Sequence, residues 1–121
     1  MINLNRVWKR LEQNPRFKEA GMVLFHVGIV RCFSREGKKV QGIIIDVDHK
    51  LLAEIIGEAR QRPGIVAVEI EIAEGYKKVG DPLMILAVAG DFRENVIQTL
   101  SDTLNRIKAH VTRKREIFAE A

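Results

Sequence analysis

The sequence predicts an α+β sandwich, with helices packed on one face of an antiparallel or mixed sheet. Two observations carry that expectation. Apolar segments of strand length arrive in pairs, at residues 22–30 and 40–47 and again at 65–72 and 83–89. After each pair comes a segment whose apolar residues recur at steps of three and four, giving the order β-β-α-β-β-α.

Residues 4–13 (LNRVWKRLEQ) form a short leading helix, with Val7, Trp8 and Leu11 on one side, and Asn14-Pro15 breaks it. Residues 22–30 (MVLFHVGIV) are almost continuously apolar and read as a buried strand. A turn over 34–39 leads to a second strand, VQGIIIDV at 40–47, and the two read as a β-hairpin with a longer loop.

Asp48 is placed to cap a helix over 49–61, whose apolar face is Leu51, Leu52, Ile55, Ile56 and Ala59. Pro63-Gly64 ends it. In the strand 65–72, Val66, Val68, Ile70 and Ile72 face one way, while Glu69 and Glu71 face the other and are expected in solvent. Residues 75–82 read as a turn-rich connection. The strand 83–89 (LMILAVA) is apolar on both faces and reads as central. Asp91 and Glu94 then form a capping-box pattern ahead of a long helix carrying Val96, Ile97, Leu100, Leu104, Ile107 and Val111.

The length of 121 residues is that of one domain with a real core, and the 46% hydrophobic and 30% charged content is that of a soluble globule. No apolar run approaches the roughly 20 residues that span a bilayer. The charged N-terminus is not a secretory signal, and the single Cys32 excludes an internal disulfide, so a cytoplasmic location is expected. Two strands apolar on both faces exceed what two helices cover, which predicts a homodimer.

Charge is local. Residues 106–115 hold Arg106, Lys108, Arg113, Lys114 and Arg115 with no carboxylate, against a net charge of +4 for the whole chain. Such a cluster holds an anion, whereas a nucleic-acid surface calls for a stripe with interleaved aromatics, which the sequence lacks. The bland reading is a solvated helix end whose cations complement the helix dipole. His26 reads as a core residue and Cys32 as inert. His49 and His110 show no metal-ligand spacing, and neither a metal nor a cofactor is expected. Gly75 and Gly80 serve turns. Arg31, closing an apolar strand, pairs either with the Glu69/Glu71 face or with a ligand phosphate.

Three stretches carry a resemblance. They are Gly28-Ile29-Val30-Arg31 with Gly37-Lys38-Lys39-Val40, then Glu58-Ala59-Arg60 followed by Gly80-Asp81, then Phe92-Arg93, Lys108 and Lys114-Arg115-Glu116. In order and spacing they resemble the large, catalytic subunit of molybdopterin synthase, the MoaE family, over residues 20–117. The resemblance implies a two-layer α/β hammerhead with helices packed on a mixed or antiparallel sheet. It makes residues 1–121 a single domain, with a short helical N-terminal segment (1–20) and a basic C-terminal tail (112–121).

It also implies a homodimeric core and a ubiquitin-like partner, MoaD-like, ending in Gly-Gly. Sulfur from that thiocarboxylated end converts a cyclic pyranopterin monophosphate into molybdopterin. Lys108 and Lys114 fall on the family's catalytic lysines, and Arg31 and Arg93 on its substrate-binding arginines. Phe92 is a candidate wall for the pterin ring, and Arg113 and Arg115 are candidate phosphate ligands. A lysine desolvated among cations has a lowered pKa and serves as base or nucleophile.

The sequence departs from the family pattern. Phe92 replaces a histidine, Ala73-Glu74 replaces a His-Arg pair, and the loop Asp46-Val47-Asp48-His49 is short. The two lysines are one residue closer than in the family. The alternative is therefore a catalytically degenerate relative that binds an anion or a protein without transferring sulfur.

Overall fold

A computed structural model describes residues 1–119. Its elements are helix α1 (Leu4–Glu12), strands β1 (Met22–Ile29) and β2 (Val40–Val47), helix α2 (His49–Arg60), strands β3 (Ile65–Ile72), β4 (Gly75–Lys78) and β5 (Pro82–Gly90), helix α3 (Arg93–Arg106) and strand β6 (Thr112–Phe118). A single 3₁₀ turn, Phe17–Glu19, precedes β1, and a π-helical turn, Ile107–Val111, joins α3 to β6.

The expected mixture of helices and antiparallel strands is present, in two sheets, ordered β1-β5-β3 and β4-β2-β6. All pairings are antiparallel. β5 is central, as its two apolar faces require. Met84, Leu86 and Val88 point into a core shared with α2, α3 and the Ile43 and Ile45 side chains of β2. Ile85, Ala87 and Ala89 point the other way, against Val7 and Leu11 of α1.

Several expectations are corrected. β1 and β2 are not a hairpin pair. The connection between them closes on itself at the Phe33–Lys39 bridge and the Val40 N–H to Cys32 carbonyl bond, and the two strands lie in different sheets. The helices do not all lie on one face, since α1 covers the side opposite α2 and α3. That covers β5 on both faces within one chain, so β5 supplies no argument for a second copy. Val27 and Ile29, on the edge strand β1, remain 43% and 54% exposed.

The Glu69/Glu71 face is not solvated. A register shift between Ile65 and Ala67 turns Val66 toward α1, and α1 lies over the glutamates with its own arginines. The Glu71 carboxylate accepts hydrogen bonds from Asn3 N–H at 2.8 Å, Arg6 Nε at 2.7 Å and Arg10 Nη1 at 2.9 Å. Glu69 accepts from Arg60 Nη2 at 2.8 Å.

At the start of α3 the N-cap is Phe92 rather than Asp91, so the capping box does not form. Asp91 Oδ1 accepts instead from the Asn95 side chain at 2.9 Å. The connection over 75–82 contains β4. Residues 112–118, expected as a basic tail, are β6. They pair with β2 from Thr112–Val47 to Phe118–Val40. The last two residues of that expected tail lie outside the described residues.

Candidate functional site

β6 alternates. Thr112, Lys114 and Glu116 rise from the inner face of the second sheet, and Lys114 stands opposite Ile45, whose side chain is 1% exposed. Arg113 and Arg115 point away. The chain reverses direction at the π turn, where Ile107 and Val111 are buried and anchor it to the core. A bond from Asp48 N–H to the Val111 carbonyl, 2.9 Å, ties the turn to the start of α2. Lys108 sits between these anchors and is exposed. π-helical turns are rare and concentrate at functional sites.

The end of β1 supplies the facing wall. Val30 N–H bonds the Asp81 carbonyl, and Gly80 N–H, at φ +90°, bonds the Val30 carbonyl, each at 3.0 Å. This fixes the backbone on which Arg31 follows. Between the sheets lies a cleft of about 350 Å³. Arg31, Arg35, Lys108 and Lys114 line it with the carboxylates Glu36 and Glu116, so positive charge is in excess. Ile29, Leu83 and Ile43 make its apolar wall. The size is at the lower end of small-molecule sites, and an apolar wall with a few convergent polar groups is their usual make-up.

The Lys114 residue keeps solvent contact, but protein crowds its ammonium. Desolvation first, then repulsion by Lys108 and Arg31, lowers its pKa, and Glu116 opposes the shift. A greater share of free amine is the chemical consequence, and free amine is the form that takes a proton or attacks a carbonyl.

The other sequence candidates fall elsewhere. Arg93 and Phe92 are at the opposite end of α3. Phe92 is 69% exposed, Arg93 approaches Glu94 at 3.5 Å, and neither lines the cleft. Arg113 lines a separate cleft with Asp46, Asp48 and His110. Arg115 lies opposite Ile44 on the outer face of the second sheet. Arg31 makes no pair with Glu69 or Glu71, which are held by Arg6, Arg10 and Arg60. Cys32 is exposed and lies outside the cleft lining. His49 pairs with Glu74.

The sequence reading missed Arg35 and Glu36, treated as turn residues, and Thr112 and Glu116, treated as tail. The signal for the last two was present: a period of two from Thr112 through Lys114 to Glu116, which a strand turns into one face.

The sequence matches the family described as MoaE protein over residues 2–110. The chain belongs to the MoaE family. Membership gives it a role in molybdenum cofactor biosynthesis. The matched range ends before β6, so Lys114 stands on the geometry of the cleft. No curated protein matches the chain at a significant level.

Among solved structures this MoaE chain is similar to a molybdopterin synthase from Staphylococcus aureus, with a TM-score of 0.80 and 23% identity over 99% of this chain and 88% of that one. It is similar to a molybdopterin cofactor biosynthesis protein E from Burkholderia multivorans, with a TM-score of 0.76 and 24% identity over 99% and 86%. It is also similar to a chain in the protein–protein complex of subunits 1 and 2 of the molybdopterin-converting factor from Helicobacter pylori, with a TM-score of 0.72 and 19% identity over 98% and 85%. At these identities the likeness is one of fold.

Proposed function

We propose that this protein is the large subunit of a molybdopterin synthase. It takes sulfur from a thiocarboxylated, ubiquitin-like small subunit ending in Gly-Gly and delivers it to a pyranopterin monophosphate. The observation that carries the reading is the convergence of Arg31, Lys108 and Lys114 on one cleft from three separate elements. Arg31 offers a planar fork to a phosphate, and the lysines offer point charges. The apolar wall of Ile29, Leu83 and Ile43 suits the flat pterin ring. Lys114, with its lowered pKa, serves as base, or as nucleophile toward the thiocarboxylate carbonyl, in which case a C–N bond forms, the C–S bond breaks and the sulfur leaves as hydrosulfide for the pterin; Lys108 holds the charge beside it.

The complex of two subunits described for the Helicobacter pylori relative supports a small-subunit partner here. A homodimer supplies Arg93 and Phe92 to the cleft of the partner protomer, because their own cleft lies about 22 Å away along the helix at 1.5 Å per residue.

A second reading keeps the fold and the anion site without sulfur transfer. It is favoured by Phe92, which stands exposed where the family pattern has a histidine. Reconstitution separates the two. The purified chain is mixed with a thiocarboxylated small subunit and pterin monophosphate, and dithiolene product is measured against a Lys108→Ala control. Product in the wild type alone supports the synthase. Binding of both components without product supports the second reading.

A further inference from the structure

His26 interrupts an apolar strand, and the sequence alone assigns it to the core. Its position in β1 makes it a neighbour of the cleft. It lies opposite Leu86 in the register, on the face of β1 that Leu24 packs into the main core. The next residue on that face is Gly28, which has no side chain. A Cβ placed there would stand 3.5 Å from His26 Nε2 and 3.3 Å from Leu83 Cδ1. The Nε2 edge of the imidazole therefore reaches along the strand toward Leu83, a wall of the cleft. Past Gly28 the chain continues into Ile29, Val30 and Arg31, all of which line it.

The charged groups around this imidazole come from several elements. Lys108 on the π turn and Lys114 on β6 both repel a positive charge on the ring, and burial opposes that charge more strongly still. His26 is accordingly held below the ordinary imidazole pKa of 6.5 and is neutral at neutral pH. Arg31 follows on the same segment, and Arg35, Glu36 and Glu116 complete the ring of charges around the cleft.

We propose that His26 is a positioning residue of this cleft: its ring stands behind Lys108 and Lys114, and protonation of the ring adds a further cation that tightens the hold on an anionic group. The inference rests on reading the cleft as an anion site. The coupling is reciprocal, so a bound anion raises the imidazole pKa by the factor through which protonation tightens the anion. One extra positive charge behind the two lysines attracts a bound anion, and a dianion twice as strongly as a monoanion, so protonation of the ring strengthens binding severalfold.

Sulfate is the probe, because its charge does not change across the range. Its dissociation constant is measured by calorimetry on the full chain near neutrality and about two pH units lower, below the ordinary imidazole range. The wild type should bind severalfold more tightly in acid. His26→Phe should lose most of that gradient while binding normally near neutrality. Any pH dependence that does not come from His26 persists in the variant, so the difference between the two proteins is the readout. His26→Gln provides the same comparison if the phenylalanine variant does not fold. Proton NMR of the wild-type imidazole adds a direct measure: its pKa should rise on sulfate binding and also in Lys108→Ala. An equal gradient in wild type and variant, or an imidazole unmoved by sulfate, overturns the role of His26 and leaves the anion site intact. No sulfate binding at either pH overturns both.

Discussion

Lys108 and Lys114 line one cleft from two different elements, the first on a π-helical turn and the second on the inner face of strand β6. The reversal of the chain between them sets their proximity, and their mutual repulsion is part of what lowers the Lys114 pKa. Removing one therefore changes the chemistry of the other. Lys108→Ala should raise the Lys114 pKa toward the usual lysine value, although desolvation, the larger cause, keeps it below. Because Lys108 is exposed, the melting temperature should hardly move, whereas the sulfur transfer proposed for the cleft should be lost. The pH dependence of amine acylation at Lys114, read by mass spectrometry in both proteins, checks the first part. A Lys114 profile that does not shift would show that the two ammoniums do not interact.

Glu71 predicts the acid stability. Its carboxyl is held at about 2 against an ordinary 4.5, chiefly by the Arg6 hydrogen bonds, with Asn3 N–H and Arg10 adding to them and burial opposing. A depressed carboxylate contributes stability that is fully present above pH 4.5 and is lost as pH falls toward 2. Arg6 is 52% exposed, so solvent screening reduces the contribution to about 1–2 kcal/mol. Glu71→Gln should be less stable by about that amount at neutral pH, and its denaturant midpoint should fall less steeply over the acid range. Parallel acid profiles for the two proteins would remove Glu71 from this role.

Most of the first sheet was legible because local pattern and tertiary position agree there. Both parity sets of β5 are apolar, which only a strand covered on two faces tolerates. What stayed hidden depends on distant partners. β4 is four residues with two lysines, and β6 carries Arg113, Lys114, Arg115 and Glu116 in succession. Neither looks like a strand until β2 pairs with it on each side. The hairpin reading of β1 and β2 failed for the same reason, since adjacency in sequence was taken for pairing. Of the candidate site, Arg31, Lys108 and Lys114 were found as residue types. Their meeting at one pocket was expected only from the family resemblance; the residues themselves do not show it, because it requires the turn at Ile107–Val111 and the period of two that follows.

Ile107 should join stability to the site. It is fully buried, with 0% exposure, immediately before Lys108, and its side chain seats the π turn in the core. Truncation to alanine removes several buried carbons and leaves a cavity, a change that costs about 2–4 kcal/mol. The turn should also lose its fixed register, so sulfate binding in the cleft should weaken even under conditions where the variant remains folded. Denaturant unfolding gives the first quantity and calorimetry the second. A variant that is destabilised yet binds sulfate as the wild type does would show that Lys108 is placed by α3 rather than by its anchor.

Arg93 and Lys108 test whether a site is built from two chains. Both were expected at one pocket, yet within a protomer they stand at opposite ends of the α3–π segment, about 22 Å apart at 1.5 Å per residue. The edge strand β1, with Val27 and Ile29 exposed, provides apolar surface for a second copy. If the protomers pair and exchange ends of α3, Arg93→Ala and Lys108→Ala each inactivate both sites of a homodimer. Mixed in equal amounts and allowed to exchange, the two variants should then regain about a quarter of wild-type activity. Half of the dimers are mixed, and each of those has one site with both residues intact. A sedimentation mass near 13.7 kDa at micromolar concentration would rule out the dimer at the outset. A dimer that gains no activity on mixing would place the complete site within one chain, and Arg93 would then have no part in it.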